Sequence, residues 1–123
     1  MYTVMVVDDS MVIRERISQL DEKFGFQIVC QAKNGKDALD RCRIRMPDII
    51  TMDLTMPEMD GLEAIPKLLE INPDAKILVV SALSDLETGL EALELGANGF
   101  LNKPFNERSL SEALMELVSD DDD

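Results

Sequence analysis

Five short aliphatic runs, each followed by a stretch of helical period, fill the 123 residues of this chain and leave few architectures open to it. The runs are Val4 to Val7, Phe26 to Cys30, Ile49 to Met52, Ile77 to Val80 and, more weakly, Gly99 to Leu101. Short and rich in Val, Ile and Leu, they suit strands buried on both faces of a parallel sheet. Phe26, Ile28 and Cys30 alternate with Gln27 and Gln31, the pattern of a strand near a sheet edge. Between the runs, apolar residues recur at helical spacing: Ile13, Ile17, Leu20 and Phe24; Leu39, Cys42 and Met46; Leu62, Ile65 and Leu69; Leu86, Leu90, Leu93 and Ala97; Leu110, Ala113, Leu114 and Leu117. Ser10, Asp85 and Asn106 stand where N-caps belong, and Gly96 where a C-cap belongs. Pro66 and Gly89 fall inside the third and fourth helices, where costs of about 3 and about 1 kcal/mol mark both helices as locally weak.

Strict βα alternation with right-handed crossovers lays helices on both faces of a parallel sheet. A closed eightfold barrel needs about twice this length, so an open, doubly wound α/β sheet of five strands with five helices is expected. One hydrophobic core fits the length: residues 1–119 are expected to form one domain, and Asp120 to Asp123 a solvated acidic tail. With no Trp, one Tyr and four Phe, that core should be aliphatic.

The formal net charge of −13 repels phosphate backbones and anionic lipid, which argues against direct nucleic-acid or membrane binding. Histidine is absent, removing the commonest general base and the commonest transition-metal ligand. Cys30 and Cys42 lack the spacing of a metal or redox motif and are expected to be buried, reduced thiols. No secretory signal and no membrane-length apolar stretch is apparent, so a cytoplasmic location is expected.

Ligands of open α/β sheets sit at the carboxyl ends of the strands. There the first strand ends in Asp8 and Asp9, the third in Asp53, the fourth in Ser81 and Ala82, and the fifth in Asn102, Lys103 and Pro104. If the first and third strands are neighbours, as in the flavodoxin-like order 2-1-3-4-5, three carboxylates converge. They would raise one another's pKa unless a cation neutralised them. All-oxygen donors open to a phosphate favour Mg²⁺ over Ca²⁺. Lys103 and Ser81 could then meet phosphoryl oxygens, and a carboxylate is a competent covalent acceptor of phosphate. Taken singly, each residue has a plain structural role: Asp8 and Asp9 could cap the first helix, Asp53 could end a strand, Ser81 could cap, Lys103 could sit in a turn, and Phe100 could fill the core. Joint placement at one end of the sheet favours the functional role.

These residues resemble the CheY-like receiver domain of two-component response regulators, over essentially all of Val4 to Val118. The resemblance rests on Val6-Val7-Asp8-Asp9-Ser10, Pro47-Asp48-Ile49-Ile50-Thr51-Met52-Asp53, Met56-Pro57-Glu58-Met59-Asp60-Gly61, Ser81-Ala82, and Gly96-Ala97 leading to Lys103-Pro104-Phe105. It implies that Asp53 is the phosphoacceptor. It implies that Asp9 ligates Mg²⁺ directly, Asp8 largely through water and Thr55 through its backbone carbonyl. Lys103 then pairs with the acceptor, Ser81 reports on the phosphoryl group, Ala82 leaves the acceptor accessible, and Phe100 is the aromatic switch. A cis Lys103–Pro104 peptide is implied as well. The implied donor is a phosphohistidine on a histidine kinase or phosphotransfer protein. The implied output is a contact between an effector and the fourth helix, fifth strand and fifth helix, by a monomer or a phosphorylation-dependent dimer, with chemotaxis-type signalling as one possibility. Glu87, Glu91 and Glu94 on that face predict basic or salt-sensitive effectors, and apolar Leu83 is expected to give no help in orienting attacking water.

Three alternatives compete. The chain could be the receiver part of a longer regulator with a DNA-binding or enzymatic output domain. A haloacid-dehalogenase-like phosphatase needs a second Asp two positions after its nucleophile, where this chain has Thr55. A flavodoxin-like electron carrier needs a Ser/Thr/Gly-rich phosphate loop after the first strand, and none follows it here.

Overall fold

The computed structural model describes residues 1–82 and 86–119. Its strands are β1 (Tyr2–Val7), β2 (Phe26–Ala32), β3 (Ile49–Met52), β4 (Lys76–Ala82) and β5 (Gly99–Lys103). Its helices are α1 (Met11–Ser18), α2 (Gly35–Ile44), α3 (Gly61–Ile71), α4 (Leu86–Glu94) and α5 (Glu107–Val118). All strand pairs are parallel, and the sheet runs β2-β1-β3-β4-β5. That is the expected order, with β2 at an edge. The strands outrun their apolar cores by up to three residues, because backbone pairing continues into polar positions such as Gln31, Asn102 and Lys103.

Two apolar layers flank the sheet. Ala38, Leu39 and Cys42 of α2, Ala64, Ile65 and Leu68 of α3, and Ala92 of α4 pack on one face. Ile17 of α1 and Leu110, Leu114 and Leu117 of α5 pack on the other. Strand residues alternate between the layers, with Val4 and Val6 in one and Met5 and Val7 in the other. The core is aliphatic as expected, and its largest fully buried aromatic is Phe26.

Ser10 caps α1 by accepting from the Ile13 amide (3.3 Å), and Asn106 closes a reciprocal capping box with Ser109 on α5. Asn34 and Asp60 cap α2 and α3, accepting from the Asp37 and Glu63 amides, two caps that were not anticipated. Gly96, with φ 120°, ends α4 in the left-handed conformation that suits glycine. Asp85 and Leu83 lie outside the described residues, as do Asp120 to Asp123.

Four expectations need correction. Phe24 does not extend α1: the helix stops at Ser18, and Phe24 belongs to a short 3₁₀ turn, Glu22–Phe24, that Asp21 caps. Cys42 is buried but Cys30 only partly, its Sγ accepting from Arg41 Nη1 at 3.6 Å. Pro66 lies in the second turn of an uninterrupted α3, so the helix starts no later than its cap and forgoes one internal bond. Leu86, Leu90 and Leu93, expected in the core, face outward, the first two being 54% and 55% exposed. The residues that α4 buries are instead the small Gly89 and Ala92.

One buried polar atom stands out. Thr51 lies at the centre of β3 between Val6 and Leu78, and its hydroxyl finds no hydrogen-bond partner among the described residues. A desolvated hydroxyl of this kind costs about 1–3 kcal/mol. Thr51→Val, nearly identical in shape, should therefore raise unfolding stability by about 1 kcal/mol in urea denaturation; a loss of stability would show that the hydroxyl has a partner.

Candidate acidic phosphoryl site

Parallel register brings the sequence's polar strand ends to one level. The Asp53 amide donates to the Val7 carbonyl (2.9 Å) and the Asp8 amide to the Ala32 carbonyl (3.1 Å), so both acids emerge from the middle of the sheet side by side. Asp9 follows on the exposed side. One carboxylate oxygen from each of Asp8, Asp9 and Asp53 lies within 4.8 Å of the others. Asp8 and Asp53 are buried, so their charges meet little water.

Lys103 answers this charge from the end of β5. Its Nζ donates to Asp8 Oδ2 at 2.8 Å and stands 3.6 Å from Asp53 Oδ1. The lysine thus pairs more closely with Asp8 than with the expected acceptor. Burial works to lower the Lys103 pKa, but the bond to Asp8 and the charge of Asp53 outweigh it and hold the pKa above its ordinary value. The ammonium stays charged where it is needed.

Asp53 shows the opposite balance. Burial, then the charge of Asp8, push its pKa from an ordinary 3.8 up to about 6, against the lowering pull of Lys103 and of the Thr55 amide, which donates to it. One lysine does not neutralise three acids. An all-oxygen donor set with residual negative charge is what a hard divalent cation such as Mg²⁺ requires.

Several side chains hold the arrangement. Asp8 Oδ1 accepts from the Ser10 amide at 2.9 Å, so Asp8 braces the turn into α1 while Ser10 does the capping. Arg14 donates to the Asp8 carbonyl at 2.7 Å and to Gln31 Oε1 at 3.3 Å, tying the turn to β2. Arg14 was not anticipated as part of the site; its signal was a cation one helical turn beyond Ser10 in an acid-rich segment. The loop after Asp53 packs so closely that a side chain at Gly61 would come within 2.7 Å of the Asp53 carbonyl. In the same loop Glu58 adopts φ 65°, a left-handed conformation rare outside glycine.

The remaining candidates are distributed as follows. Met52 pairs with Val79, which places Ser81, buried at the end of β4, one residue beyond the level of Asp53. Ala82 pairs with Lys103, and the Lys103–Pro104 peptide is cis. Phe100, opposite Val79, lies away from the carboxylates and packs its ring against Gly89 of α4.

The comparisons agree with this geometry. Residues 4–115 match the model of the response regulator receiver domain. A chemotaxis protein CheY of Thermotoga maritima is 40% identical over 114 residues, covering 93% of this chain and 95% of its own. Its counterpart in Bacillus subtilis is 35% identical over 118 residues, covering 96% and 98%. The solved complex of CheX with CheY, BeF₃ and Mg from Borrelia burgdorferi superposes with a TM-score of 0.87 at 28% identity, covering 95% of this chain and 89% of that one. The chain belongs to the response regulator receiver family. The two curated relatives just named, similar along nearly their whole length, are CheY proteins.

The raised pKa of Asp53 fixes a pH dependence. The folded state holds this proton more tightly than the unfolded state, so the contribution to stability is full below about pH 4 and is lost as pH rises through about 6. Chelated protein should accordingly gain several degrees of melting temperature from Mg²⁺ at pH 8 and little at pH 5, and Asp53→Asn without metal should melt higher than wild type at pH 8. Equal Mg²⁺ effects at both pH values would contradict this.

Proposed function

We propose that Asp53 accepts a phosphoryl group in a Mg²⁺-dependent two-component phosphorelay and that the loaded site changes which proteins the chain binds. The observation that carries this reading is the convergence of Asp8, Asp9 and Asp53 beneath the Lys103 ammonium. Asp8, Asp9, Asp53 and the Thr55 carbonyl are the groups that would hold Mg²⁺, which when bound supplies positive charge against the phosphoryl oxygens.

In the proposed transfer, an Asp53 carboxylate oxygen bonds to the phosphorus of a phosphohistidine on a histidine kinase or phosphotransfer protein. The P–N bond breaks and the imidazole leaves with its electron pair. Lys103, freed in part from Asp8, faces an incoming phosphoryl oxygen, and the Ser81 hydroxyl takes another. Positioning and charge neutralisation suffice, so the absence of any histidine base is no obstacle. Hydrolysis of the acyl phosphate later restores the carboxylate and releases inorganic phosphate. The chain catalyses only these two steps on itself.

The output face of this proposal is α4, β5 and α5. There the exposed Leu86 and Leu90 alternate with the exposed Glu87, Glu91 and Glu94, a surface suited to an apolar segment with basic flanks. Phe100 links that face to the site. The Borrelia relative solved with CheX and the names of the CheY relatives support a protein-binding, chemotaxis-type output. Among the described residues no helix is long and apolar enough to cross a membrane.

Incubation with a small acyl or amidophosphate donor and Mg²⁺ should add one phosphoryl group to the wild type and none to Asp53→Asn, measured as intact mass. Labelling of both, or of neither, would refute the assignment.

A further inference from the structure

The cations of this acidic chain are not spread evenly. Lys33, Lys36, Arg41, Arg43 and Arg45 put five of its twelve basic side chains into a stretch that holds only two acids, Asp37 and Asp40. Elsewhere seven basic side chains meet twenty-three acidic ones. All five cations are exposed, and they lie on or beside α2. Helix stability explains part of this. Arg41 and Arg43 stand in the last turn, where a cation complements the helix dipole. Lys36 stands in the first turn, where the same dipole opposes a cation, and Lys33 precedes the cap.

Between α2 and α3 lies a groove of about 540 Å³, within the range that ligand pockets occupy. Leu39, Met59 and Ile71 give it an apolar lining, and Lys36, Arg43 and Lys67 stand around it. Two acids, Asp40 and Glu70, also line it, so the cations prevail. Arg43 lies 3.4 Å from Asp40 and Lys67 lies 3.5 Å from Glu63. Both pairs are about half exposed or more, so water screens them and an incoming carboxylate competes for either cation. Ile44, between Arg43 and Arg45 at the end of α2, is 87% exposed, the highest value among the described large apolar side chains.

We propose that this α2–α3 surface docks an acidic segment of a partner protein, with an apolar side chain of the segment in the groove and its carboxylates against Lys36, Arg43 and Lys67. Charge sign and apolar lining together select this occupant. An extended anionic surface, such as a lipid bilayer, would set the attraction of the patch against the twenty-three acids elsewhere on the chain, whereas a short segment meets the patch alone. A second copy carries the same net charge of −13 and is repelled as a body. An inorganic anion would leave Leu39, Met59 and Ile71 in water. The surface shares no residue with the α4 face, whose Glu87, Glu91 and Glu94 favour basic partners. One chain thus offers docking faces of opposite charge.

The experiment follows the anisotropy of a short dye-labelled peptide of Glu, Leu and Phe titrated with the whole chain. Chelator is present and phosphodonor absent, so the phosphoacceptor reading stands or falls separately. The peptide should bind saturably, and added salt should weaken it. Lys36→Glu with Arg43→Glu should weaken binding about tenfold or more, and Lys67→Glu, on the other helix, serves alone should that pair fail to fold. Arg16→Glu with Arg108→Glu changes the net charge equally but away from the groove, and should weaken binding less than about twofold. Replacing Leu and Phe of the peptide by Ser should abolish binding. No binding, equal losses in the two double variants, or equal binding of the Ser peptide overturns the proposal. It is overturned as well if Lys36→Glu with Arg43→Glu abolishes binding to phosphatidylserine vesicles, or self-association in sedimentation, because the occupant is then a membrane or a second copy.

Discussion

Three carboxylates confined within 4.8 Å of one another are the constraint from which this molecule follows. In water they would separate; here the register of β1 against β3 forbids it. Asp8 and Asp53 emerge from adjacent central strands, and backbone bonds at 2.9 and 3.1 Å lock both positions. Their repulsion is partly offset by Lys103 and partly left in place, which is why Asp53 holds its proton up to about pH 6 while Lys103 remains charged. A site left short of positive charge is a site for cations and for the electrophilic phosphorus that accompanies them.

The rest of the fold holds that frustrated cluster still. Aliphatic layers on both faces of the sheet fix the strands, and Arg14, Ser10 and the close-packed Gly61 fix the turns that follow them. The β4–β5 edge is different. On its α4 side the packing is made of the small Gly89 and Ala92 against the Phe100 ring, and the leucines Leu86, Leu90 and Leu93 lie on the surface. The two regions are thus built differently: aliphatic layers and turn contacts hold Asp8 and Asp53 in register, while α4 meets the sheet through Gly89 and Ala92.

Much of this was legible in the sequence, and the reasons are physical. Strand order and site followed from two rules, parallel βα alternation and ligand binding at strand carboxyl ends, and the acids at 8, 9 and 53 obeyed both. Period alone misled at α4, since Leu86, Leu90 and Leu93 repeat as a buried face would; only a three-dimensional neighbour, Phe100, reveals that the glycine side is the inner one. It misled again at Phe24, where Asp21 restarts the chain as a separate turn. The closer partnership of Lys103 with Asp8 was invisible because side-chain reach across strands is not encoded in spacing, and Arg14 was invisible for the same reason.

Cation binding and phosphoryl acceptance both depend on the electrostatic state of Asp53, and its carboxyl carbon reports that state directly. Site-resolved ¹³C chemical shifts of Asp53, followed against pH, should titrate near 6 in metal-free protein and well below that in Mg²⁺. A midpoint near 4 that Mg²⁺ leaves unmoved would mean that the three acids neither strain one another nor gather a cation.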